Sequence, residues 1–185
     1  MRQREIVIYR HWEVLQETAG FIRSDQITNA ADQYDRARIR GGMSNETCLE
    51  PDLVITSHSK RSIDTARQLF GRVDIEDAAF REAELPDLVS LPLKLLPNHW
   101  FVVARVCWFL GASRNCENAR DFRARAHRCA IRLDDLARQH DRIALVGHGV
   151  MNRYLARELR ALGYSGRAKP DWSYGQANRF TFGEP

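Results

Sequence analysis

Long apolar runs are missing from this chain. Its most hydrophobic stretch, Trp100 to Leu110, is interrupted by Arg105 and falls well short of the roughly 20 residues a membrane span needs. The opening Met1-Arg2-Gln3-Arg4-Glu5 leads straight into a strand-like segment without the apolar stretch of a secretion signal. A cytoplasmic protein with no membrane partner is therefore expected. Cysteine is sparse, at positions 48, 107, 116 and 129, with no CxxC pair and no zinc-ligand spacing. Cys107 lies in an apolar run and Cys129 on an amphipathic face, which reads as free thiols in a reducing compartment. Lysine is rarer still, three among 28 basic residues, so the net charge of +4 is carried by arginine. Those arginines are scattered through every segment. No basic run, stripe or nucleic-acid module is present, so nucleic acid is not an expected partner, and the excess charge favours anionic ligands only in a general way. Internal repeats, low-complexity tracts and interdomain linkers are absent as well.

What is present suits one globular domain spanning residues 1–185, a size that buries roughly 70% of its unfolded surface. The hydrophobic fraction of 44% and charged fraction of 28% exclude general disorder. Three short runs, Ile6-Val7-Ile8-Tyr9, Leu53-Val54-Ile55-Thr56 and Ile143-Ala144-Leu145-Val146, are apolar without alternation, as in parallel strands buried on both faces. Helical spacing lies between and after them. It is marked by Ile27, Ala30, Ala31 and Tyr34; by Ile63, Ala66, Leu69 and Phe70 up to Gly71; by Ala119 through Ala137; and by Met151 through Leu162 before Gly163. This alternation predicts a three-layer α/β/α sandwich around a mostly parallel sheet. Residues 85–98, with prolines at 86, 92 and 97, read as a loop, and Arg179-Phe180-Thr181-Phe182 as an edge strand. The Trp100–Leu110 helix is apolar nearly all round, so it is either fully buried or one wall of a pocket. Residues 12–50 and 85–115 are the expected pocket builders, with a variable cap around 85–115.

Each of the three strands runs into polar residues: Arg10-His11, then Ser57-His58-Ser59-Lys60-Arg61, then Gly147-His148-Gly149. In open α/β sheets ligands bind at the carboxyl ends of the strands, so two His and two Arg are directed toward one edge. Guanidinium groups grip phosphate oxygens in forked geometry and never deprotonate. A neutral imidazole is a competent nucleophile at phosphorus, and nearby arginines disfavour its protonation. Each positive charge about 4 Å from a phosphate charge contributes on the order of 4 kcal/mol at an effective dielectric near 20. Such a cluster can support phosphoryl transfer without a metal or other cofactor.

Tyr9-Arg10-His11, Ser57-x-x-x-Arg61-x-x-x-Thr65-Ala66, Phe80-Arg81-Glu82 and Val146-Gly147-His148-Gly149, in that order, resemble the histidine phosphatase superfamily, which includes phosphoglycerate mutase. The resemblance covers roughly residues 5 to 165. It implies a phosphoglycerate mutase-like fold and metal-independent hydrolysis of a small phosphorylated substrate through a phosphohistidine. His11 would then be the nucleophile. Arg10 and Arg61 would bind the phosphoryl oxygens, His148 would stabilise the transferred group, and the Gly149 region would line the pocket. Glu82 would protonate the leaving oxygen, with Glu84 as the alternative acid. No role falls to His58, His99, His127 or His140, and Asn152 reads as an exposed first-turn residue.

Two positions depart from the family pattern. Trp12 stands where a Gly normally follows the His, so it either covers the site or narrows the range of substrates. Glu17 stands where the mutases carry a substrate-binding Asn, and an acid there repels a second anionic group. Hydrolysis is therefore expected over mutase activity. A catalytically inactive member that only binds a phosphorylated ligand is the other alternative, with Trp12 as its support. The sequence leaves the oligomeric state and the substrate open.

Overall fold

The computed structural model describes residues 3–15, 20–42 and 50–183. Cys48 and Glu17 lie outside them. In chain order the elements begin with β1 (Arg4–Arg10), β2 (Ile22–Arg23), α1 (Ile27–Arg36), β3 (Leu53–Thr56) and α2 (Lys60–Phe70). There follow β4 (Ile75–Glu76), β5 (Lys94–Leu95), α3 (Pro97–Phe109), α4 (Ala119–Gln139) and β6 (Arg142–Gly147). The chain closes with α5 (Gly149–Ala161), β7 (Ser165–Gly166) and β8 (Ala177–Phe182).

The main sheet has the order β4-β3-β6-β1-β8-β7. Its first four strands are parallel, whereas β8 runs antiparallel to β1 and β7 antiparallel to β8. Both faces are covered, which is why β1, β3 and β6 show no polar alternation. Ile6, Ile8, Ile55, Ile143 and Leu145 face α4 and α5, where Phe122, Leu133, Met151 and Leu155 meet them. Val7, Tyr9, Val54, Ala144 and Val146 face α2 through Ala66, Leu69 and Phe70. The three layers and the mostly parallel sheet are those expected from the sequence.

Local signals set the helix ends. Asn118 accepts from the backbone N–H groups of Arg120 and Asp121 at the start of α4. Gly71, in the left-handed region at φ 72°, closes α2. α3 begins earlier than the apolar pattern implied, because Pro97 occupies its first turn, where the missing N–H costs nothing. The stretch read as a loop therefore ends in β5 and the start of α3, with β5 paired to β2. The expected edge strand is β8, and it lies inside the sheet. Its outer side is paired at Phe180 and Thr181 by β7, a strand too short to leave a periodic signal. Among the described residues no helix is long and apolar enough to cross a membrane.

Candidate active site

Strand register brings the polar clusters together. Tyr9 and Thr56 both pair with Val146, and Arg10 pairs with Gly147, so β1, β3 and β6 finish level with one another. His11 extends the ladder by one residue, its N–H donating to Gly147 O at 3.0 Å. The His11 and His148 rings lie 5.3 Å apart, centroid to centroid. Arg61 comes from the first turn of α2 and is buried beside them. A Cβ at Gly147 would stand 2.4 Å from Asn152 Oδ1, so only glycine fits between β6 and α5. Asn152 is fully buried, unlike the exposed residue expected. Its Oδ1 accepts from His148 N at 3.2 Å and its Nδ2 donates to Tyr9 O at 3.0 Å, tying the start of α5 to the end of β1.

Hydrogen bonds define the roles of both imidazoles. His11 Nδ1 lies 2.7 Å from Trp12 O; a carbonyl only accepts, so Nδ1 carries the hydrogen and Nε2 keeps its lone pair. Burial, reinforced by the positive charges of Arg61 and Arg10, lowers the His11 pKa to about 3, so the ring is neutral at ordinary pH. His148 is lowered well below its usual value, again by burial first and then by Arg61. Its Nε2 lies 2.7 Å from Ser57 Oγ and 3.3 Å from the hydroxyls of Ser59 and Ser62. Ser57 Oγ accepts from Ser59 N at 3.3 Å and lies 3.1 Å from Ser59 Oγ, so its one hydrogen goes either to Ser59 Oγ or to His148 Nε2. In the second arrangement His148 Nδ1 bears the proton.

Four buried nitrogens have no hydrogen-bond partner among the described residues: Trp12 Nε1, and in this cluster Arg10 Nε, Arg61 Nε and His148 Nδ1. Leaving a buried donor unpaired costs about 1–3 kcal/mol. Arg10 is otherwise held by Trp172 O at 2.6 Å, with its Cζ over the Tyr174 ring, 3.8 Å from the centroid. Arg61 donates to Asp35 and sits 5.3 Å from the Tyr34 ring. Tyr34 and Tyr174 join hydroxyl to hydroxyl at 3.1 Å. Burial and this contact raise the Tyr34 pKa, so the phenol keeps its proton.

A cavity of about 700 Å³ opens from this cluster. Arg10, Arg61, His148, Glu82 and Glu84 line it, and so does Tyr174. His11 and Gly149 do not. His11 is 3% exposed, and the Tyr174 ring lies 5.4 Å from its own. Gly149 instead gives Arg10 room, since a Cβ there would stand 3.3 Å from Arg10 Cζ. Trp12 does not cover the cavity. Its indole packs among Val14, Ile39, Tyr34, Ala37 and Leu69, while its backbone N–H donates to Thr65 Oγ1. The rings that stand over Arg10 and Arg61 are Tyr174 and Tyr34, which no motif or spacing in the sequence singles out for the site. The helix α3 proves to be a pocket wall on one side and core on the other, with Trp100, Ala104 and Trp108 buried.

The two candidate acids differ in their surroundings. Glu82 Oε1 accepts from the N–H groups of Ala83 at 3.0 Å and Met151 at 2.9 Å, and its Oε2 accepts from Val150 N at 2.9 Å. A carboxyl has about four lone-pair sites, so one remains, on Oε2. Glu84 is half-exposed, pairs with Arg81 at 3.4 Å and accepts from Glu117 N at 3.0 Å. His58 is exposed on the cavity wall, and His127 pairs with Glu158 at 2.9 Å. Among the described residues no three His, Cys, Asp or Glu side chains are grouped to hold a metal ion.

The family model of the histidine phosphatase superfamily (branch 1) matches residues 45–184. That span includes Arg61, Glu82 and His148, while Arg10 and His11 precede it and reach the same site through β1. None of the curated proteins matches the chain. Among solved structures, phosphoglycerate mutase from Bacillus anthracis superposes with a TM-score of 0.59 at 13% identity, covering 98% of this chain and 88% of that one. Mycobacterial hydrolase 2 gives 0.54 at 19%, covering 97% and 89%. The α-ribazole phosphatase from Shigella flexneri gives 0.52 at 16%, covering 95% and 89%. At these identities the likeness is one of fold.

Proposed function

The chain belongs to the histidine phosphatase superfamily, branch 1, and on that premise we propose that it hydrolyses a small phosphomonoester through a phosphohistidine on His11. The supporting observation is the set of unpaired buried nitrogens on Arg10, Arg61 and His148, which a phosphoryl group would satisfy together, with the His148 proton on Nδ1. His11 Nε2 attacks phosphorus, the bond to the alcohol oxygen breaks, and the three donors carry the charge spread over the equatorial oxygens. Glu82 passes a proton from Oε2 to the departing oxygen. Water then attacks the phosphohistidine, returns a proton to Glu82 and releases phosphate. The positive charge needed comes from side chains, so no metal or cofactor takes part. One domain carries the reaction, with residues 85–115 as its variable cap. The free thiols of Cys107, Cys116 and Cys129 support a cytoplasmic setting, and neither nucleic acid nor membrane is a partner.

The test is rapid quenching without acid during turnover of an aryl phosphate. A phosphate adduct stable in base and labile in acid is expected, absent in His11→Ala together with activity. Turnover should persist under strong chelation. A serine adduct, or activity lost to chelator and restored by a divalent metal, would overturn the mechanism. Clean binding of phosphate or vanadate without any turnover would leave an inactive member of the fold. Transfer to a phosphoglycerate in preference to water would leave a mutase.

A further inference from the structure

The phosphate end fills only a small part of the cavity, whose 700 Å³ has room for a drug-sized molecule. One wall of the remainder is apolar. Val102, Val106 and Phe109 stand at i, i+4 and i+7 on α3 and share one face. Each lines the cavity and each is more than half exposed, at 63%, 52% and 54%. Single exposed apolar residues are ordinary, whereas a stripe of three inside a cavity marks a surface to be covered. Phe101 continues the stripe inward. Its ring meets Tyr34 edge-on at 6.1 Å, and Tyr34 stands beside Arg61, so the apolar path begins at the phosphate site.

Charge on the other walls argues against a second anion. Asp32 of α1 and Asp87 line the cavity, and so does Asp35, whose carboxylate is already paired with Arg61. Hydrogen bonds from Asn115 at 2.7 Å and Thr28 at 3.0 Å hold the Asp87 carboxyl below its usual pKa, so it stays ionised. The arginines outside the phosphate site are already engaged. Arg105 donates to the carbonyls of Ala83 at 2.6 Å and Glu84 at 3.1 Å, and Arg81 lies 3.4 Å from Glu84 and 3.7 Å from Glu117.

Resting on the phosphatase reading above, we propose that the preferred substrate is the phosphomonoester of an apolar alcohol that carries no negative charge of its own, a long alkyl or aryl phosphate. The α3 stripe receives the apolar part. The carboxylates opposite reject bisphosphates and phosphorylated acids.

Unbranched alkyl phosphates test this, because propanol and octanol are nearly equal leaving groups and differ only in apolar length. Octyl phosphate should exceed propyl phosphate in kcat/KM by roughly thirtyfold, the return expected when five methylenes are half buried on an open wall. Pentyl phosphate should exceed its ω-carboxylated analogue by roughly tenfold, and Asp32→Asn should narrow that gap. Val106→Asn, at an exposed position that folding tolerates, should reduce the octyl-to-propyl ratio. Turnover of every ester with a flat length series, a preference for the carboxylated ester, or a ratio unmoved by Val106→Asn would overturn the inference and leave the phosphatase reading intact. Failure to turn over any ester would remove the phosphatase reading. Calorimetric binding of propyl and octyl phosphonate then decides the substrate class separately, with equal affinities counting against it.

Discussion

Ser57 carries the hydroxyl nearest His148 Nε2, and the proposed mechanism needs it to donate there so that the proton stays on Nδ1; alanine at position 57 removes that donor. The Ser57 Oγ–His148 Nε2 distance is 2.7 Å and both residues are buried, so the contact is not traded for water. Its loss costs roughly 1 kcal/mol for the hydrogen bond, and an acceptor left unsatisfied in the interior adds about 1–3 kcal/mol. Ser59 and Ser62, each 3.3 Å from the same nitrogen, recover part of this. The larger consequence is chemical. Once Nε2 can hold the hydrogen, Nδ1 turns a lone pair toward the phosphoryl oxygens it is meant to neutralise. A net loss of about 2–3 kcal/mol in the first transfer corresponds to roughly a 30- to 150-fold fall in kcat/KM, and the rate should fall further when Ser59 and Ser62 are also changed to alanine. The assay is steady-state hydrolysis of an aryl phosphate, paired with nitrogen NMR of the His148 ring. The wild-type spectrum should show protonated Nδ1 and bare Nε2, and Ser57→Ala should show a mixture. A variant within threefold of wild type, or an unchanged tautomer with a large loss of rate, would refute the assignment.

Two further outcomes follow from the site. General acid catalysis supplies about 10²- to 10⁴-fold only where the leaving oxygen needs a proton, so Glu82→Gln should depress kcat/KM for alkyl phosphates far more than for nitrophenyl phosphate, with Glu84→Gln near wild type on both. The reverse pattern would move the role to Glu84, and equal losses on both substrates would mean that Glu82 serves the start of α5 rather than the proton. Stability should also depend on His11. The unfolded imidazole takes up a proton below about pH 6.5 while the folded one resists until about pH 3, so folding weakens as pH falls through that window. At pH 4.5 the difference is about two units, or about 3 kcal/mol, and His11→Asn should remove that part of the slope in urea-unfolding midpoints measured from pH 7 to 4.5. Parallel profiles for the two proteins would contradict it.

The parts of the site that the sequence disclosed are those governed by strand periodicity and register. Arg10, His11, Ser57 and His148 follow directly on buried runs, and parallel strands that finish level present what comes next on one edge. Trp12 lies one residue beyond the reach of that logic. Alternation stops at the end of β1, and the indole turns into the cluster under α1 instead of over the pocket. Tyr174 is less legible still. It lies in a short irregular stretch ahead of β8, and only the placement of β8 beside β1 brings its ring over Arg10. Glu82 and Glu84 show the same limit in its simplest form. In a segment without helix or strand, a spacing of two residues fixes no direction, so only the family resemblance put Glu82 ahead of Glu84. What separates them is a contact 68 residues away in sequence: the first turn of α5 offers Glu82 the N–H groups of Val150 and Met151, and so holds it at the helix start that follows His148. A helix N-terminus is recognisable from Gly147-His148-Gly149, but which distant acid it captures depends on how the 82–84 segment crosses the sheet edge. That path is set by packing: Phe80 is buried in the core before Glu82, and Arg125 holds the carbonyls of Ala79 and Arg81.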